Sequence, residues 1–194
     1  LLAYYSGEVL GKEQLPLRLS GFSQCYRSEI GSYGRDTKGL YRVHEFFKVE
    51  QVVLCGADMK EADALQAEML AISEEMHREL GIPYRKLQIC TGDLGTGKYR
   101  QFDLEAWMPG LGRWGETGSS SNFLDWQSRR LNVKYLDKES GERKYVYMLN
   151  NTALPSPRIL IALIENFQEE DGSVIIPEVL RPYVGKERIV PRKK

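Results

Sequence analysis

Three groups of polar residues lie where folding alone would not require them, and the first combines arginine, glutamate and an aromatic ring. Arg27 and Glu29 are two residues apart, which puts both on one face of a strand. Arg42, Phe46 and Glu50 follow at even spacing, so a hairpin of the two segments would gather all five on one face. A guanidinium binds two phosphate oxygens, an aromatic ring stacks on a nucleobase, and a carboxylate holds an ammonium group. The alternative is a solvated charged face with cross-strand ion pairs.

The second group follows a single carboxylate. Glu116 precedes the hydroxyl-rich run 117–121, within a segment, 115–122, that we expect to be a loop. One carboxylate beside several hydroxyls is a hard-oxygen arrangement that suits magnesium together with phosphate ligands. The alternative for this segment is a mobile surface turn.

The third group is a single cation, Arg158, in the first turn of an apolar helix. A cation at that end opposes the helix dipole. An anion bound by the free backbone N–H groups and by Arg158 would explain the placement. The alternative is an arginine whose guanidinium extends along the surface to reach water.

The elements that must position these groups begin with a hairpin. We expect a strand at 23–30, a polar loop from Gly31 to Gly39, and a second strand from Leu40 to Cys55. Asp58 and Glu61 then predict a capped helix start. Gly81 and Pro83 end the helix, and its core stripe repeats at helical spacing: Ala62, Leu65, Met69, Ile72, Met76 and Leu80.

The remaining pattern predicts three further strands and a buried helix. The strands are expected at 84–90, 98–107 and 144–149. A helix from about Pro157 to Gln168 is expected to have Ser156 as its N-cap, and its nearly all-round apolar face predicts burial. Hairpins before helices, without a βαβ rhythm, favour an α+β fold with a mainly antiparallel sheet.

Composition narrows the class of protein. The 194 residues suit one domain, 1–194, and Lys+Arg and Asp+Glu are equal at 27 each, so any RNA contact must come from local patches. No apolar run reaches the roughly 20 residues that span a bilayer. Three separated cysteines and two histidines favour reduced thiols in the cytoplasm and predict no zinc site. The first residues carry neither Met nor a basic segment, so we expect a boundary inside a longer protein.

One motif is expected to be a decoy. Residues 92–98 match most of a phosphate-binding P-loop, but Tyr99 stands where Ser or Thr should hold magnesium. A P-loop also opens a helix, whereas the residues after Tyr99 have a strand pattern. We therefore predict a tight turn between strands.

The motifs resemble those of class II seryl-tRNA synthetases, in order and across essentially the whole chain. Residues 26–50, with Tyr26-Arg27-Ser28-Glu29 and the polar loop, resemble motif 2 of that family. Residues 116–130 resemble its ATP-binding element, and Asn150 to Arg158 resemble motif 3. The ending from Ile176 to Gly185 is also similar. This resemblance implies a class II synthetase-type antiparallel sheet flanked by helices.

The resemblance also implies a reaction and its residues. Serine and ATP would give seryl-adenylate and pyrophosphate, followed by transfer of serine to the 3′ end of serine-specific tRNA. Catalytic roles would fall to Arg27, Glu116 and Arg158. ATP would contact Arg27, Ser28, Glu29, Arg42, Val43, Phe46, Glu116, Thr117, Gly118, Ser119 and Arg158. Magnesium would bind Glu116 and Ser119, and serine would bind Glu50, Asn150 and Thr152.

The same resemblance implies what should lie outside this chain. Motif 1, which builds much of the family's homodimer interface, a Thr-x-Glu loop that helps to bind serine, and a coiled-coil tRNA-binding arm are absent here. We therefore expect a piece of a larger enzyme that is not fully active or natively dimeric alone. The 31–39 loop is expected to reach towards the acceptor end of tRNA. Two alternatives stay open: an amino acid:carrier-protein ligase, and a non-catalytic regulatory domain that keeps the fold.

Overall fold

The structure, a computed structural model, describes residues 1–30 and 39–192. Within these ranges the strands are Val9–Gly11 (β1), Leu17–Tyr26 (β2), Glu45–Cys55 (β3), Tyr84–Gln88 (β4), Arg100–Met108 (β5), Arg113–Asn122 (β6), Lys134–Leu136 (β7), Arg143–Tyr145 (β8), Tyr147–Pro155 (β9), Val174–Ile175 (β10) and Arg188–Ile189 (β11). The α-helices of these ranges are Met59–Glu79 (α1), Trp126–Leu131 (α2), Ser156–Phe167 (α3) and Arg181–Val184 (α4).

A six-stranded antiparallel sheet forms the centre of the described part of the chain, in the order β2-β3-β9-β6-β5-β4. A small sheet, β1-β7-β8, packs near it, with β1 parallel to β7. This arrangement confirms the predicted α+β class with a mainly antiparallel sheet flanked by helices.

The hairpin of β2 and β3 confirms the predicted pairing but shifts its bounds. β2 runs from Leu17 to Tyr26, so it begins earlier than the predicted strand at 23–30 and stops before Arg27. β3 begins at Glu45, because Gly39 to His44 form turns and bends before the strand. The predicted loop at 31–39 lies, apart from Gly39, outside the described residues.

Helix α1 covers one face of the large sheet. Its N-cap is Asp58, whose carboxylate accepts a hydrogen bond from the Glu61 N–H at 2.8 Å, as the capping pattern predicts. Leu65 and Met69 pack against Val53 and Leu149 of the sheet. The predicted stripe is wrong at Ile72, which is 39% exposed. In this part of α1 the polar residues Ser73 and His77 are buried instead.

Two predictions about the second half of the chain are wrong. Residues 115–122 are not a loop, because Arg113–Asn122 form β6 between β5 and β9. The predicted strand at 144–149 is divided into β8 and β9, and β9 continues to Pro155. The decoy motif at 92–98 forms turns between β4 and β5, as expected for a connection between strands.

Helix α3 also departs from its predicted role. Ile159 and Ala162 are buried against Ile82 and Ala106, but Leu160 is 46% exposed, so burial is one-sided and not all-round. Ser156 is the first helical residue and makes no capping bond. Its hydroxyl instead accepts a hydrogen bond from the Phe47 N–H at 3.1 Å, which ties the start of α3 to β3.

Candidate active site

A cleft of about 540 Å³ opens on the face of the large sheet opposite α1. The alternation of β9 identifies that face: Asn151 contacts α1, whereas Thr152, the next residue, lines the cleft. Most of the residues singled out from the sequence line it: Arg27, Glu29, Arg42, Val43, Phe46, Glu116, Thr117, Gly118, Ser119, Thr152 and Arg158.

Three of the predicted residues lie outside this lining. Ser28 is exposed. Glu50 lies at the margin of the cleft, where its Oε2 accepts a hydrogen bond from the Thr152 hydroxyl at 3.0 Å. Asn150 lies two residues before Thr152 on β9 and therefore shares its face of the sheet.

Arg158 joins the start of α3 to strand β6. Its Nη1 donates to the Glu116 carbonyl at 2.8 Å and lies 3.2 Å from the Glu116 carboxylate. Its Cζ lies 4.4 Å from the centroid of the Tyr41 ring, and its Nε donates to the Tyr41 carbonyl at 3.3 Å. The Tyr41 hydroxyl in turn accepts from the Glu116 N–H at 3.1 Å. The guanidinium of Arg158 thus faces the Glu116 carboxylate, while an anion bound by the backbone N–H groups of this helix end stays a prediction.

The opposite wall carries the second group of cations. Arg27 follows β2, and its backbone N–H donates a hydrogen bond to the His44 carbonyl at 2.9 Å. The Cζ atom of Arg27 lies 5.3 Å from the centroid of the Phe46 ring. Arg42 donates to the Glu29 carboxylate at 3.1 Å. Glu29 has a φ of +52°, a conformation that non-glycine residues adopt at a cost of about 1–3 kcal/mol and that occurs often at functional sites.

A small polar cluster closes one end of the cleft. The Glu50 carboxylate accepts from Thr152 and lies 2.9 Å from the Lys48 ammonium. Among the described residues both contacts use Oε2. Oε1 is therefore left for another donor, since a carboxylate can accept about four hydrogen bonds.

Strand β6 contains an irregularity beside the cleft. Leu104 pairs with Gly118 and Glu105 pairs with Glu116, so Thr117 is the extra residue of a β-bulge. Bulges turn side chains next to active sites. The Thr117 hydroxyl points away from the cleft, donates to the Leu104 carbonyl at 3.1 Å, and lies 2.9 Å from Nε2 of His77 on α1.

Two of these site residues were missed in the sequence. Lys48 lies between Phe46 and Glu50 at the same even spacing, so strand alternation alone would have found it. Tyr41 is 8% exposed and carries three of the contacts that hold Arg158 and Glu116. No sequence signal distinguishes it from any other aromatic residue, because its role depends on the turn before β3.

Asp103 of β5 lies near Glu116. Burial raises the pKa of its carboxyl, and the nearby Glu116 carboxylate raises it further, while a hydrogen bond from Gln101 opposes the rise. Asp103 therefore places a second carboxyl close to Glu116 on this wall.

No three His, Cys, Asp or Glu side chains among the described residues are close enough to hold a metal ion by themselves. None of their helices is long and apolar enough to cross a membrane.

The fold and the cleft together match a known class of protein. The family model for the tRNA synthetase class II core domain (G, H, P, S and T) matches residues 1–167. The chain therefore belongs to the class II tRNA synthetase core domain family, which confirms the class inferred from the motifs.

Within that class, the chain is similar to serine–tRNA ligases. The chain is 51% identical over 188 residues to the serine–tRNA ligase of Treponema denticola, covering 96% of this chain and 44% of the relative. It matches the crystal structure of the Pyrococcus horikoshii seryl-tRNA synthetase complexed with ATP at a TM-score of 0.94 and 45% identity, covering 98% of this chain and 42% of the other. The cytoplasmic serine–tRNA ligase of Naegleria fowleri in complex with AMP matches at a TM-score of 0.92 and 38% identity, covering 98% and 45%.

The coverage is unequal. The chain spans less than half the length of these relatives, although nearly all of the chain is matched. The family assignment therefore concerns the core domain.

Proposed function

We propose that this chain is the catalytic core of a serine–tRNA ligase. The observation that carries the proposal is the convergence of three arginines, Arg27, Arg42 and Arg158, on one cleft that also holds Glu116 and an aromatic ring. Guanidinium groups bind phosphate oxygens, so the cleft suits a nucleoside triphosphate. The similar proteins of Pyrococcus horikoshii and Naegleria fowleri, crystallised with ATP and AMP, support the same reading.

The nucleotide is proposed to span the cleft from Phe46 to Arg158. The Phe46 ring would stack on adenine, with Val43 beside it and Ser28 and Glu29 near the ribose and α-phosphate end. Arg42 and Arg158 would bind the outer phosphates. Among residues 1–30 and 39–192, Nε of Arg42 is buried without a hydrogen-bond partner, which is costly for a cation unless a ligand supplies the acceptor.

Adenylation needs positioning and charge stabilisation from the protein. The serine carboxylate attacks the α-phosphorus in line, a P–O bond to the carboxyl forms, and pyrophosphate leaves. A carboxylate is already ionised at neutral pH, so no general base is required. Arg27 is proposed to bind the α-phosphate and the substrate carboxylate, lowering the barrier where negative charge develops.

Serine is proposed to bind at the polar end of the cleft. Glu50, Thr152 and Asn150 supply a carboxylate, a hydroxyl and an amide on one face of β3 and β9. The Oε1 atom of Glu50 suits the ammonium group of serine. The short polar side chains of Thr152 and Asn150 suit the hydroxyl of its small side chain. A site that hydrogen-bonds a hydroxyl rejects alanine, because its buried polar groups would be left unpaired.

Magnesium fits the donor set of the β6 wall. Glu116 and Ser119 both line the cleft and offer oxygen ligands, and Mg²⁺ is commonly held by one or two carboxylates together with substrate phosphates. When bound, the ion would neutralise charge on the phosphates. We further propose that ATP binds as a substrate and that the enzyme uses no zinc.

The remaining steps concern partners beyond the described cleft. A terminal hydroxyl of serine-specific tRNA would attack the adenylate carbonyl, form an ester, and release AMP. We further propose that the chain, 1–194, is a single catalytic domain of a longer cytoplasmic enzyme, in which upstream segments supply the homodimer interface and the tRNA-binding arm. The 31–39 loop is proposed to approach the acceptor end.

Aminoacylation by the full-length protein that contains this chain tests the proposal. Labelled serine should become esterified to a serine-specific tRNA transcript in the presence of ATP and Mg²⁺. A transcript that lacks the 3′-terminal adenosine is the matched control and should accept none. Activation of an amino acid without any transfer to tRNA, but with transfer to a carrier protein, would contradict the proposal.

A further inference from the structure

Strands β6 and β9 meet beside the cleft. They pair over Ser120–Asn122 and Leu149–Asn151, and Glu116 and Thr152 lie just beyond this paired stretch. The two strands nevertheless stay close: a Cβ on Gly118 would lie 2.9 Å from the Thr152 carbonyl oxygen. The wall that carries Glu116 and the wall that carries Thr152 are therefore set side by side.

A row of buried polar residues on α1 faces strands β6 and β9. Gln66, Ser73 and His77 are 0%, 0% and 1% exposed, and they repeat at helical spacing on one face of α1. We call these three residues the polar seam. A helix that only packed against a sheet would bury apolar side chains here, since each buried polar group requires a partner.

Each member of the polar seam forms a hydrogen bond with β6 or β9. Gln66 donates to the Ser120 carbonyl of β6 at 3.1 Å. The Ser73 hydroxyl donates to the Thr152 carbonyl of β9 at 3.3 Å and accepts from Asn151 at 2.8 Å. His77 contacts Thr117 at 2.9 Å.

The hydrogen bonds of His77 have a direction. Its Nδ1 lies 2.7 Å from the Ser73 carbonyl, which can only accept, so Nδ1 carries the proton. In the neutral ring Nε2 is then an acceptor, and the single hydroxyl proton of Thr117 is shared between Nε2 at 2.9 Å and the Leu104 carbonyl at 3.1 Å. Burial lowers the pKa of His77 and favours this neutral form.

We propose that Ser73 and His77 are positioning residues for adenylation, one for each wall of the cleft. His77 holds the bulge at Thr117 and so fixes the direction of Glu116, the proposed magnesium ligand next to it. Ser73 holds the backbone of Thr152 and so fixes the proposed serine-binding wall. The inference rests on the proposed function for its substrates, although the contacts themselves belong to the chain.

A crossed kinetic experiment on the full-length protein separates the two roles. His77→Leu and Thr117→Val each remove the contact between these two side chains, although the first also removes the bond to the Ser73 carbonyl and the second the bond to the Leu104 carbonyl. Both variants should raise the ATP KM about tenfold. Both should also raise about tenfold the Mg²⁺ concentration that gives half-maximal pyrophosphate exchange, as is usual for residues that support a metal ligand. The serine KM should change little. Ser73→Ala should raise the serine KM and leave the Mg²⁺ requirement near that of the wild type.

Leu65→Ala is the matched control. Leu65 lies on the same helix and is buried, but it packs against Val53 and Leu149 and does not contact the bulge. The variant should lower the Tm while leaving both KM values and the Mg²⁺ requirement unchanged. The inference is overturned if the seam variants change all parameters together, or change only the Tm as Leu65→Ala does.

Hydrogen–deuterium exchange tests the contacts without the reaction. His77→Leu and Thr117→Val should speed exchange in peptides that cover 115–119, whereas Leu65→Ala should not do so selectively. Unchanged protection of that segment would overturn the inference even for an active enzyme. An active wild type with unaltered variant kinetics removes only the positioning roles, whereas a wild type that does not activate serine removes the proposed function.

Discussion

Arg158 and Glu116 form an ion pair in the cleft, with Nη1 of the arginine 3.2 Å from the carboxylate and 2.8 Å from the backbone carbonyl of the same glutamate. Both residues are proposed to bind ATP-Mg²⁺, Arg158 through the phosphates and Glu116 through the metal. Nucleotide binding would therefore exchange one charge pair for two ligand contacts, and the free pair keeps both side chains directed into the cleft.

Replacement of Glu116 tests the metal contact. Glu116→Gln keeps the size of the side chain but replaces a carboxylate with an amide, which is a poorer ligand for a hard cation. We expect the Mg²⁺ concentration for half-maximal pyrophosphate exchange to rise about tenfold or more. Glu170→Gln, at an exposed position after α3, is the control. An unchanged magnesium titration for Glu116→Gln would remove this residue from the metal site.

Replacement of Arg27 tests the proposed contact with the reacting phosphate. Arg27→Ala should nearly abolish adenylation, because loss of a charge-assisted contact at a transition state costs about 3 kcal/mol, or roughly a hundredfold in rate. Single-turnover adenylate formation measures this step. Arg18→Ala, which removes an arginine paired with Glu68 outside the cleft, should leave the rate close to that of the wild type. Near-normal adenylation by Arg27→Ala would be incompatible with the proposed role.

Replacement of Gly118 tests how closely the two walls must approach. The added methyl group of Gly118→Ala would lie 2.9 Å from a backbone oxygen, which cannot turn aside as a flexible side chain could. We expect a loss of about 1–3 kcal/mol in the free energy of unfolding, together with reduced exchange activity. Denaturant unfolding measures the first quantity. Gly95→Ala, where the nearest atom is a lysine side-chain carbon at 3.5 Å, should change stability much less.

The pH dependence of stability tests the burial of His77. Its pKa is lowered from 6.5 in the folded protein by burial, with the Glu74 carboxylate and the hydrogen bond to Ser73 partly opposing the shift. Above pH 6.5 the ring is neutral in both states and has no effect on the pH slope. Below it, the unfolded chain takes up a proton that the folded chain does not, so the wild type loses stability as pH falls towards the folded pKa.

His77→Leu should therefore lose less stability than the wild type between pH 7.5 and pH 5, as urea unfolding at several pH values would measure. Leu65→Ala, which destabilises without removing a titrating group, should keep the wild-type slope. Parallel curves for His77→Leu and the wild type would show that His77 does not carry this part of the pH dependence.

The fold was predictable where local patterns and tertiary packing agree. Asp58 and Gly81 bracket α1 because a cap and a left-handed glycine, with φ of +67°, act locally. β6 was mistaken for a loop because its glycines and serines have low strand propensity. Its neighbours explain the composition: a Cβ on Gly115 would lie 2.6 Å from the Met108 sulfur, so small residues are required between crowded strands.

The site was predictable only in part. Phe46 and Glu50 share a face of β3 by the strand period, whereas Arg27 and Arg42 lie outside the strands, so their position beside the cleft depends on the turns. The polar seam could not be recognised, because His77 and Ser73 look like ordinary residues of an amphipathic helix until the position of β6 and β9 against α1 is known. Burial of polar groups is set by the partner strand, which the helix sequence does not encode.

Amino-acid-dependent pyrophosphate exchange by the full-length protein tests the central claim most directly. Serine should support exchange, while alanine and glycine should be rejected because the groups around Thr152 and Glu50 would lack a partner. Threonine keeps the hydroxyl but adds a methyl group, and it should be rejected by the size of the pocket. Strong exchange with serine and weak exchange with the other three is the result expected of a serine–tRNA ligase core. Exchange with alanine or glycine equal to that with serine would contradict the account.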